Sequence, residues 1–333
     1  MAKKTVSPIS AMEKNTLRGR QPTIALALGG GGARGLAHIL ILEALDEMGL
    51  RPKSIAGVSI GAIFGAAYAS GLSGKEIRAH ASEVLKKRFD LVRDLFAARG
   101  RAERRIWNPL SIGSALLAPN MLLDIILPTC IAQDFAQLDI PLKIVASDFY
   151  TQEPAIFSSG PLRHAIAASI ALPVIFEPVV AKGRVLIDGG LVNPLPFDII
   201  AGEADLTIAI DVSGAPLPRA GREKPKAWEA LFASSFIFEH TIIKEKLRSR
   251  QPDVYIDAGT SRYQILDFLK IDEILAAAVP AKERFKTQLA RVLEAETLEA
   301  LETNRPPQPA KDVRRLKRPS RQHLLSRRRS LKS

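Results

Sequence analysis

One serine of this chain lies in a segment whose glycine spacing is typical of a catalytic nucleophile. The segment Gly57–Gly61 (GVSIG) is centred on Ser59, follows a short apolar run and precedes small residues that predict a helix. Gly57 and Gly61 flank the serine because side chains would collide with the backbone in so tight a strand-to-helix turn. The positive end of the helix then favours negative charge at the serine oxygen. The pattern favours a nucleophile over an ordinary strand–helix turn.

A glycine-rich loop, Gly29–Gly35 (GGGGARG), follows the first predicted strand. Backbone amides without side chains can approach an anion closely, which favours an oxyanion hole. The loop also matches the dinucleotide pattern G-x-G-x-x-G, ending at Gly35, but that site needs an acidic residue about 20 residues later. Residues 50–61 contain no Asp or Glu. The oxyanion hole is therefore favoured over a nucleotide site or a purely structural loop. Its predicted amide donors are Gly30, Gly31, Gly32 and Ile60.

An aspartate follows another short apolar run. Asp188 comes after Val185–Ile187 and is followed by Gly189 and Gly190, which places a carboxylate at the mouth of a sheet. An aspartate with an ordinary pKa of about 3.9 is a weak base. Partial burial would raise that pKa and make proton abstraction from a serine more feasible. With the two motifs above, the pattern favours a general base over a turn aspartate.

None of the histidines carries the signature of a catalytic residue. In the chain order Ser, Asp, His, only His240 lies within the predicted fold, and it falls in the middle of a helical segment. His38 follows the glycine loop by one turn and is expected to be packed. A Ser–Asp dyad is the simpler interpretation. A histidine-dependent hydrolase using His240 and a catalytically silent membrane- or partner-binding protein stay open as alternatives.

Strands alternate with helices along the chain, which predicts an α/β fold with a largely parallel sheet and helices on both faces. A helix is predicted over Ala33–Met48, and a C-terminal helix over Asp272–Thr303 with a break at Pro280. The one cysteine, Cys130, excludes an intramolecular disulfide and is expected to be packed. The predicted strands lie at Thr23–Leu28, Ser54–Ala56, Leu142–Ser147, Ala155–Phe157, Val179–Ala181, Val185–Ile187, Leu206–Asp211 and Val254–Asp257.

Composition and charge divide the chain into three parts. Residues 1–21 predict a flexible arm without the apolar run of a secretory signal, 22–303 predict one domain, and 304–333 predict a disordered tail. Residues 98–120 lack periodicity and predict a lid or cap over a site. The apolar stretch Ile55–Leu72 is interpreted as strand, turn and buried helix rather than a membrane span. No cofactor or metal is expected, because no cluster of ligand residues has suitable spacing.

The basic charge is concentrated at the C-terminus. The 333 residues have a formal net charge of +12, of which ten Lys or Arg against Asp312 in the segment 311–333 supply +9. A solvated extension and attraction of Lys311–Lys332 to anionic lipid head groups are the competing interpretations. Nucleic acid is not an expected partner, because no aromatic residues interleave the charges. The chain is predicted to be cytoplasmic, with the inner face of the membrane as the place of any such contact; its oligomeric state is not predicted.

The three motifs, in this order and spacing, resemble the patatin-like phospholipase family, including its bacterial NTE-type members. The segment Ala168–Pro178 is also similar to the family, and the resemblance spans Thr23–Asp211. Ile265–Phe268 and the helix after it resemble the C-terminal part of bacterial members. The glycine at 190 departs mildly from the commoner Asp-Gly-Ala ending.

The resemblance implies a three-layer α/β/α fold and a serine acyl hydrolase of the phospholipase A or lysophospholipase type. It implies a Ser–Asp dyad without histidine, an oxyanion hole from the glycine loop, and lipid or acyl-ester substrates. Arg34 is expected to brace the loop, contact with a lipid phosphate being the alternative. The residues carried over from the family are Gly30, Gly31, Gly32, Arg34, Ser59 and Asp188.

Overall fold

A computed structural model of the protein describes residues 21–87, 117–214, 224 and 227–303. Nearly all of the predicted N-terminal arm, most of the predicted lid at 98–120 and the basic tail lie outside these residues. Predictions about those three segments therefore stay predictions.

The described residues build one eight-stranded sheet with the order β5-β6-β3-β2-β1-β7-β8, and β4 pairs with β3 off this path. Strands β3, β2, β1, β7 and β8 run parallel, whereas β4, β5 and β6 pair antiparallel. The predicted largely parallel sheet is thus confirmed. The strands are β1 Ile24–Leu28, β2 Ser54–Val58, β3 Leu142–Asp148, β4 Pro154–Phe157, β5 Val179–Ala181, β6 Arg184–Asp188, β7 Leu206–Asp211 and β8 Val254–Asp257.

The sheet lies between two layers of helices, and β1 shows why. Every residue of β1 is buried, as expected for a central strand covered on both faces. The helices are α1 His38–Glu47, α2 Ile60–Ala69, α3 Gly74–Lys87, α4 Pro119–Ile126, α5 Leu162–Ser169, α6 Ala227–Ser249 and α7 Ile271–Thr303. Ile24, Leu26 and Leu28 point into a large cluster with α1, α2, α3 and α7, whereas Ala25 and Ala27 point into a smaller cluster with α6.

Three expectations about local structure were wrong. The first predicted helix begins as a 3-10 segment, Gly32–Ala37, before α1, because the glycine loop enters it in a left-handed turn at Gly32. Helix α7 continues through Pro280, since buried side chains on both sides of the proline, among them Ile274 and Phe285, hold it against the core. Cys130 is exposed rather than packed, because it lies in a surface turn after α4.

The topology brings the sequence motifs to one edge of the sheet. Strands β1 and β2 are parallel neighbours, so the glycine loop after Leu28 and Ser59 after Val58 leave the same edge. Strand β6 ends at Asp188, which pairs with Ala146 of β3, the neighbour of β2. Three segments distant in sequence therefore meet beside the central strands. Within the described part of the chain, no helix has both the length and the apolarity needed to cross a bilayer.

Candidate active site

Ser59 lies at a sharp turn between β2 and α2. Its backbone has φ 53° and ψ −122°, a conformation that non-glycine residues adopt rarely and at an energetic cost. A Cβ on Gly57 would lie 2.6 Å from the Gly61 carbonyl oxygen, and a Cβ on Gly61 would lie 2.2 Å from the Leu28 carbonyl oxygen. The backbone amide of Ser59 donates to Ser169 Oγ over 2.8 Å. The turn therefore requires glycine at both flanking positions.

Asp188 lies directly beside the serine. Ser59 Oγ donates to Asp188 Oδ2 over 2.7 Å, and the Gly190 amide donates to Oδ1 over 2.8 Å. The hydroxyl of Ser147 donates to the main-chain carbonyl of Asp188 over 2.7 Å. These contacts fix both the backbone and the carboxylate of the aspartate. The serine and the aspartate singled out in the sequence are thus in hydrogen-bonding contact.

The electrostatic environment of Asp188 favours proton acceptance near neutral pH. The residue is 4% exposed, and this burial raises its pKa to about 6, while the hydrogen bonds from Ser59 and Gly190 oppose the rise. A base is most effective when its pKa lies near the working pH. At pH 7 Asp188 is therefore mostly ionised, yet more basic than an ordinary aspartate.

The glycine loop offers fewer free amides than its sequence predicts. The Gly30 amide donates to the Pro194 carbonyl over 3.0 Å, so this amide is already engaged in the present conformation. No described residue accepts a hydrogen bond from the amides of Gly31, Gly32 or Ile60. A Cβ on Gly31 would lie 2.3 Å from the Val212 carbonyl oxygen. Three of the four predicted donors therefore remain available.

Two buried side chains hold the glycine loop. Arg34 is 3% exposed, and its Nε donates to the Gly31 carbonyl over 3.1 Å. This geometry suits a brace and leaves little surface for a lipid phosphate. His38 is fully buried, and burial lowers its pKa to about 4. The neutral ring lies with Nε2 2.9 Å from the Gly29 carbonyl, to which it donates.

The other predicted glycines lie where chain segments approach closely. A Cβ on Gly35 would lie 2.2 Å from Ile60 Cγ2, and one on Gly189 would lie 2.1 Å from the Val145 carbonyl oxygen. The 3-10 segment of the loop is thereby packed on α2, the helix that follows Ser59, and the turn after Asp188 is packed on β3. Both glycines act on the site through the packing of its supporting elements.

The position of His240 does not suit a catalytic histidine. It is exposed on α6, and the side chain that accepts from Ser59 Oγ is Asp188 itself. The described residues form no group of three or more His, Cys, Asp or Glu side chains that could hold a metal.

Sequence reasoning missed two residues of the site. Ser169 accepts from the Ser59 amide and donates to the Val145 carbonyl over 2.6 Å. Its position inside the family-like segment Ala168–Pro178 was its only signal. Glu239 is 5% exposed and lies beside Gly190. A buried acid on an otherwise mixed helix has no signature in the sequence.

An apolar cavity of about 80 Å³ lies next to the serine turn, between α2, α3 and the 3-10 segment of the glycine loop. Ile60, which follows Ser59 directly, is part of its wall. The wall is almost wholly hydrocarbon, so the cavity suits an aliphatic chain rather than a polar group. Its other lining residues include Leu36, Phe64, Ile126 and Phe268.

Comparison of the sequence with protein families gives a match to the model described as patatin-like phospholipase over residues 26–201, more than half of the chain. An uncharacterized NTE family protein of Mycobacterium tuberculosis is 38% identical over 205 residues, which cover 61% of this chain and 53% of that protein. Human patatin-like phospholipase domain-containing protein 6 is 32% identical over 205 residues, or 57% of this chain and 13% of that protein. The chain thus spans about half the length of the first relative and far less of the second.

Comparison of the structures gives more distant similarities. Human GIVD cytosolic phospholipase A2, solved in complex with a methyl gamma-linolenyl fluorophosphonate inhibitor, has a TM-score of 0.47 and 13% identity, covering 87% of this chain and 62% of that chain. VipD from Legionella pneumophila has a TM-score of 0.43 and 16% identity, covering 83% of this chain and 67% of that chain.

Proposed function

Because this chain belongs to the patatin-like phospholipase family, we propose that it is a lipid acyl-ester hydrolase with Ser59 as nucleophile and Asp188 as general base. The observation that carries the proposal is the 2.7 Å hydrogen bond from Ser59 Oγ to the buried carboxylate of Asp188. A serine hydroxyl is weakly nucleophilic until a base takes its proton. The contact supplies that base without an intervening histidine.

In the first step, Asp188 Oδ2 takes the proton of Ser59 while Oγ bonds to the ester carbonyl carbon. The carbonyl π bond breaks, and its electron pair moves to the oxygen. The amides of Gly31, Gly32 and Ile60 hold this oxyanion, aided by the positive end of α2. Positioned donors of this kind stabilise the transition state because they need no reorganisation during the reaction.

In the second step, the oxyanion reforms its double bond and the ester C–O bond breaks. Protonated Asp188 gives its proton to the departing alcohol, which leaves an acyl group on Ser59. Water then enters, Asp188 takes one of its protons, and the hydroxide oxygen bonds to the acyl carbon. The second tetrahedral intermediate collapses, Ser59 Oγ recovers the proton, and the fatty acid is released.

The cavity beside Ile60 supports a lipid substrate. Its hydrocarbon wall includes Ile60, the residue after the proposed nucleophile, and an acyl chain buried there would have its ester group near Ser59. Transfer of each methylene from water contributes about 0.8 kcal/mol. A phospholipase A or lysophospholipase reaction is our proposal for the specific activity. Membrane contact through Lys311–Lys332 and the cytoplasmic location stay predictions, because the tail lies outside the described residues.

The proposal is tested by hydrolysis of phospholipid and lysophospholipid, with labelling by a fluorophosphonate. Ser59→Ala should abolish both, and Asp188→Asn should lower kcat/KM about 10²- to 10⁴-fold, because the proton acceptor is lost. Asp272→Asn is the matched control, since its side chain is 77% exposed. A folded Ser59→Ala or Asp188→Asn protein with the wild-type rate contradicts the dyad, and a wild-type protein that never labels supports a silent binding protein.

The pH dependence of kcat/KM provides a second test of Asp188 as the general base. The pKa of Asp188 is raised to about 6, so kcat/KM should rise as the pH passes through 6 and the carboxyl loses its proton. Asp188→Asn should lack this rise. A wild-type rate that is constant between pH 5 and 7 would exclude Asp188 as the base.

A further inference from the structure

A second buried carboxyl group lies next to the proposed base and has no role in the steps above. Four ionisable side chains are almost completely buried behind the site, with exposures of 3 to 6%. They come from four different elements: the glycine loop, the end of β6, the end of β7 and helix α6. In that order they are Arg34, Asp188, Asp211 and Glu239.

Glu239 faces Asp188 across Gly190. The position that a Cβ on Gly190 would occupy lies 3.1 Å from Asp188 Oδ1 and 3.2 Å from Glu239 Oε1. The two oxygens therefore lie within about 6 Å of each other, separated by a glycine that has no side chain. At a separation of this size inside a protein, two negative charges repel each other.

Helix α6 fixes the position of Glu239. Residues 239, 243 and 246 share one face of the helix, because they are four and three residues apart. Ile243 is buried against the sheet, and Lys246 Nζ donates to the Leu195 carbonyl over 2.7 Å. These contacts anchor the helix on the chain that follows Asp188 and hold Glu239, one turn before Ile243, on the buried face.

The charges of the cluster do not balance if every group is ionised. One guanidinium, Arg34, interacts with the carboxyl groups of Glu239 and Asp211, and Glu239 interacts in turn with Asp188, so three acids share one base. Two uncompensated negative charges at buried positions are expensive, so the cluster should keep one proton. The catalytic question is which carboxyl group keeps it, since a protonated Asp188 cannot accept the proton of Ser59.

Hydrogen bonds decide where that proton lies. Asp188 accepts from Ser59 and Gly190, and Asp211 accepts from the Ser213 amide and the Tyr255 hydroxyl, each over 2.7 Å. Such bonds stabilise a carboxylate. No described residue donates a hydrogen bond to Glu239. Burial raises the pKa of Glu239 to about 8; the negative charges of Asp188 and Asp211 add to this rise, and the positive charge of Arg34 opposes it.

We propose that Glu239 is a positioning residue that holds the proton of this buried cluster and thereby keeps Asp188 ionised as the base for Ser59. The inference rests on the proposed function. Asp188 and Glu239 then titrate as a coupled pair, which loses its two protons in two separate steps. At a pH between the two steps, Asp188 is ionised and Glu239 is neutral. At a pH above the second step, Glu239 is also charged, and its negative charge makes Asp188 a stronger base.

The kinetic test compares wild type with Glu239→Gln, a neutral side chain of the same shape. The second-order rate of fluorophosphonate labelling should rise in two steps in the wild type, near pH 6 and near pH 8. Glu239→Gln should keep the first step, near pH 6, and lack the second step, near pH 8. A second step retained in Glu239→Gln overturns the inference. So does a downward shift of the first step by a full pH unit, which would mean that Glu239 is charged at neutral pH.

Thermal unfolding tests whether Glu239 is protonated in the folded protein, independently of any hydrolytic activity. The pKa of Glu239 is higher in the folded than in the unfolded chain, so folding stability is lost as the pH rises towards and through 8. Glutamine avoids this loss. The gain in Tm of Glu239→Gln over wild type should therefore increase by about 5 °C between pH 6 and pH 9.

Glu245→Gln, on the same helix with a side chain that is 61% exposed, is the matched control and should show no pH-dependent gain. A gain in Tm that is equal at pH 6 and pH 9 overturns the inference whatever the activity. A folded Ser59→Ala protein that hydrolyses lipid normally overturns the proposed function alone. The two failures are therefore distinguishable.

Discussion

The two glycine-rich segments of the site are held in place in different ways. The glycines of the serine turn have mostly local neighbours: Gly57 lies against Gly61 and Ala62, and Gly61 lies against the end of β1. The loop at Gly29–Gly32 is held by the second half of the chain. Gly30 donates to Pro194, and Gly31 lies against Val212.

The contacts that hold the proposed nucleophile therefore differ from those that hold the proposed oxyanion site. The glycines of the turn have their neighbours in β1, β2 and α2. The glycines of the loop also contact the end of β7 and the chain after β6. We therefore expect damage to the turn to affect folding, and damage to the loop to affect catalysis.

The largest effect is expected for Gly61→Ala. The new methyl group would lie 2.2 Å from the Leu28 carbonyl oxygen and 2.8 Å from that of Gly29, and backbone cannot move aside as a flexible side chain can. We expect a loss of about 3 kcal/mol or more in the free energy of unfolding, measured by denaturant titration. Gly49→Ala is the control: φ is 66° there with open space around it, so about 1 kcal/mol is expected.

The second effect compares two neighbours in the loop. Gly31→Ala brings a methyl group 2.3 Å from the Val212 carbonyl oxygen, whereas Gly30→Ala places one 3.5 Å from Ser59 Cβ, an ordinary contact. We expect kcat to fall about 100-fold for Gly31→Ala, the usual effect of losing one oxyanion donor, and less than about tenfold for Gly30→Ala. Equal losses would show that Val212 does not determine the conformation of the loop.

The smallest effect is expected for Ser169→Ala, which removes the tertiary hydrogen bond to the Ser59 amide. An unsatisfied buried amide costs about 1–3 kcal/mol, and we expect kcat to fall about tenfold because the serine turn is otherwise local. Ser261→Ala, at an exposed position, should change neither quantity. A loss as large as that of Gly31→Ala would mean that the turn also depends on distant contacts.

Most of the fold was predictable because its signals are local. Short apolar runs ended by glycine gave the strands, and their alternation with helices gave the parallel sheet. Predictions failed where packing opposes a local preference: α7 continues through Pro280 because buried residues hold both of its halves. Ser59 and Asp188 were recognisable because each follows a strand and lies beside glycines.

The sequence by itself determined which chemical groups the site contains, since the serine turn, the glycine loop and Asp188 each carry their own residue pattern. The tertiary structure alone decided how those groups are arranged. It brought Ser59 and Asp188 to 2.7 Å, occupied the Gly30 amide with Pro194, and placed Glu239 beside the proposed base. The physical reason is that burial, hydrogen-bond partners and neighbouring charges are properties of the packed chain.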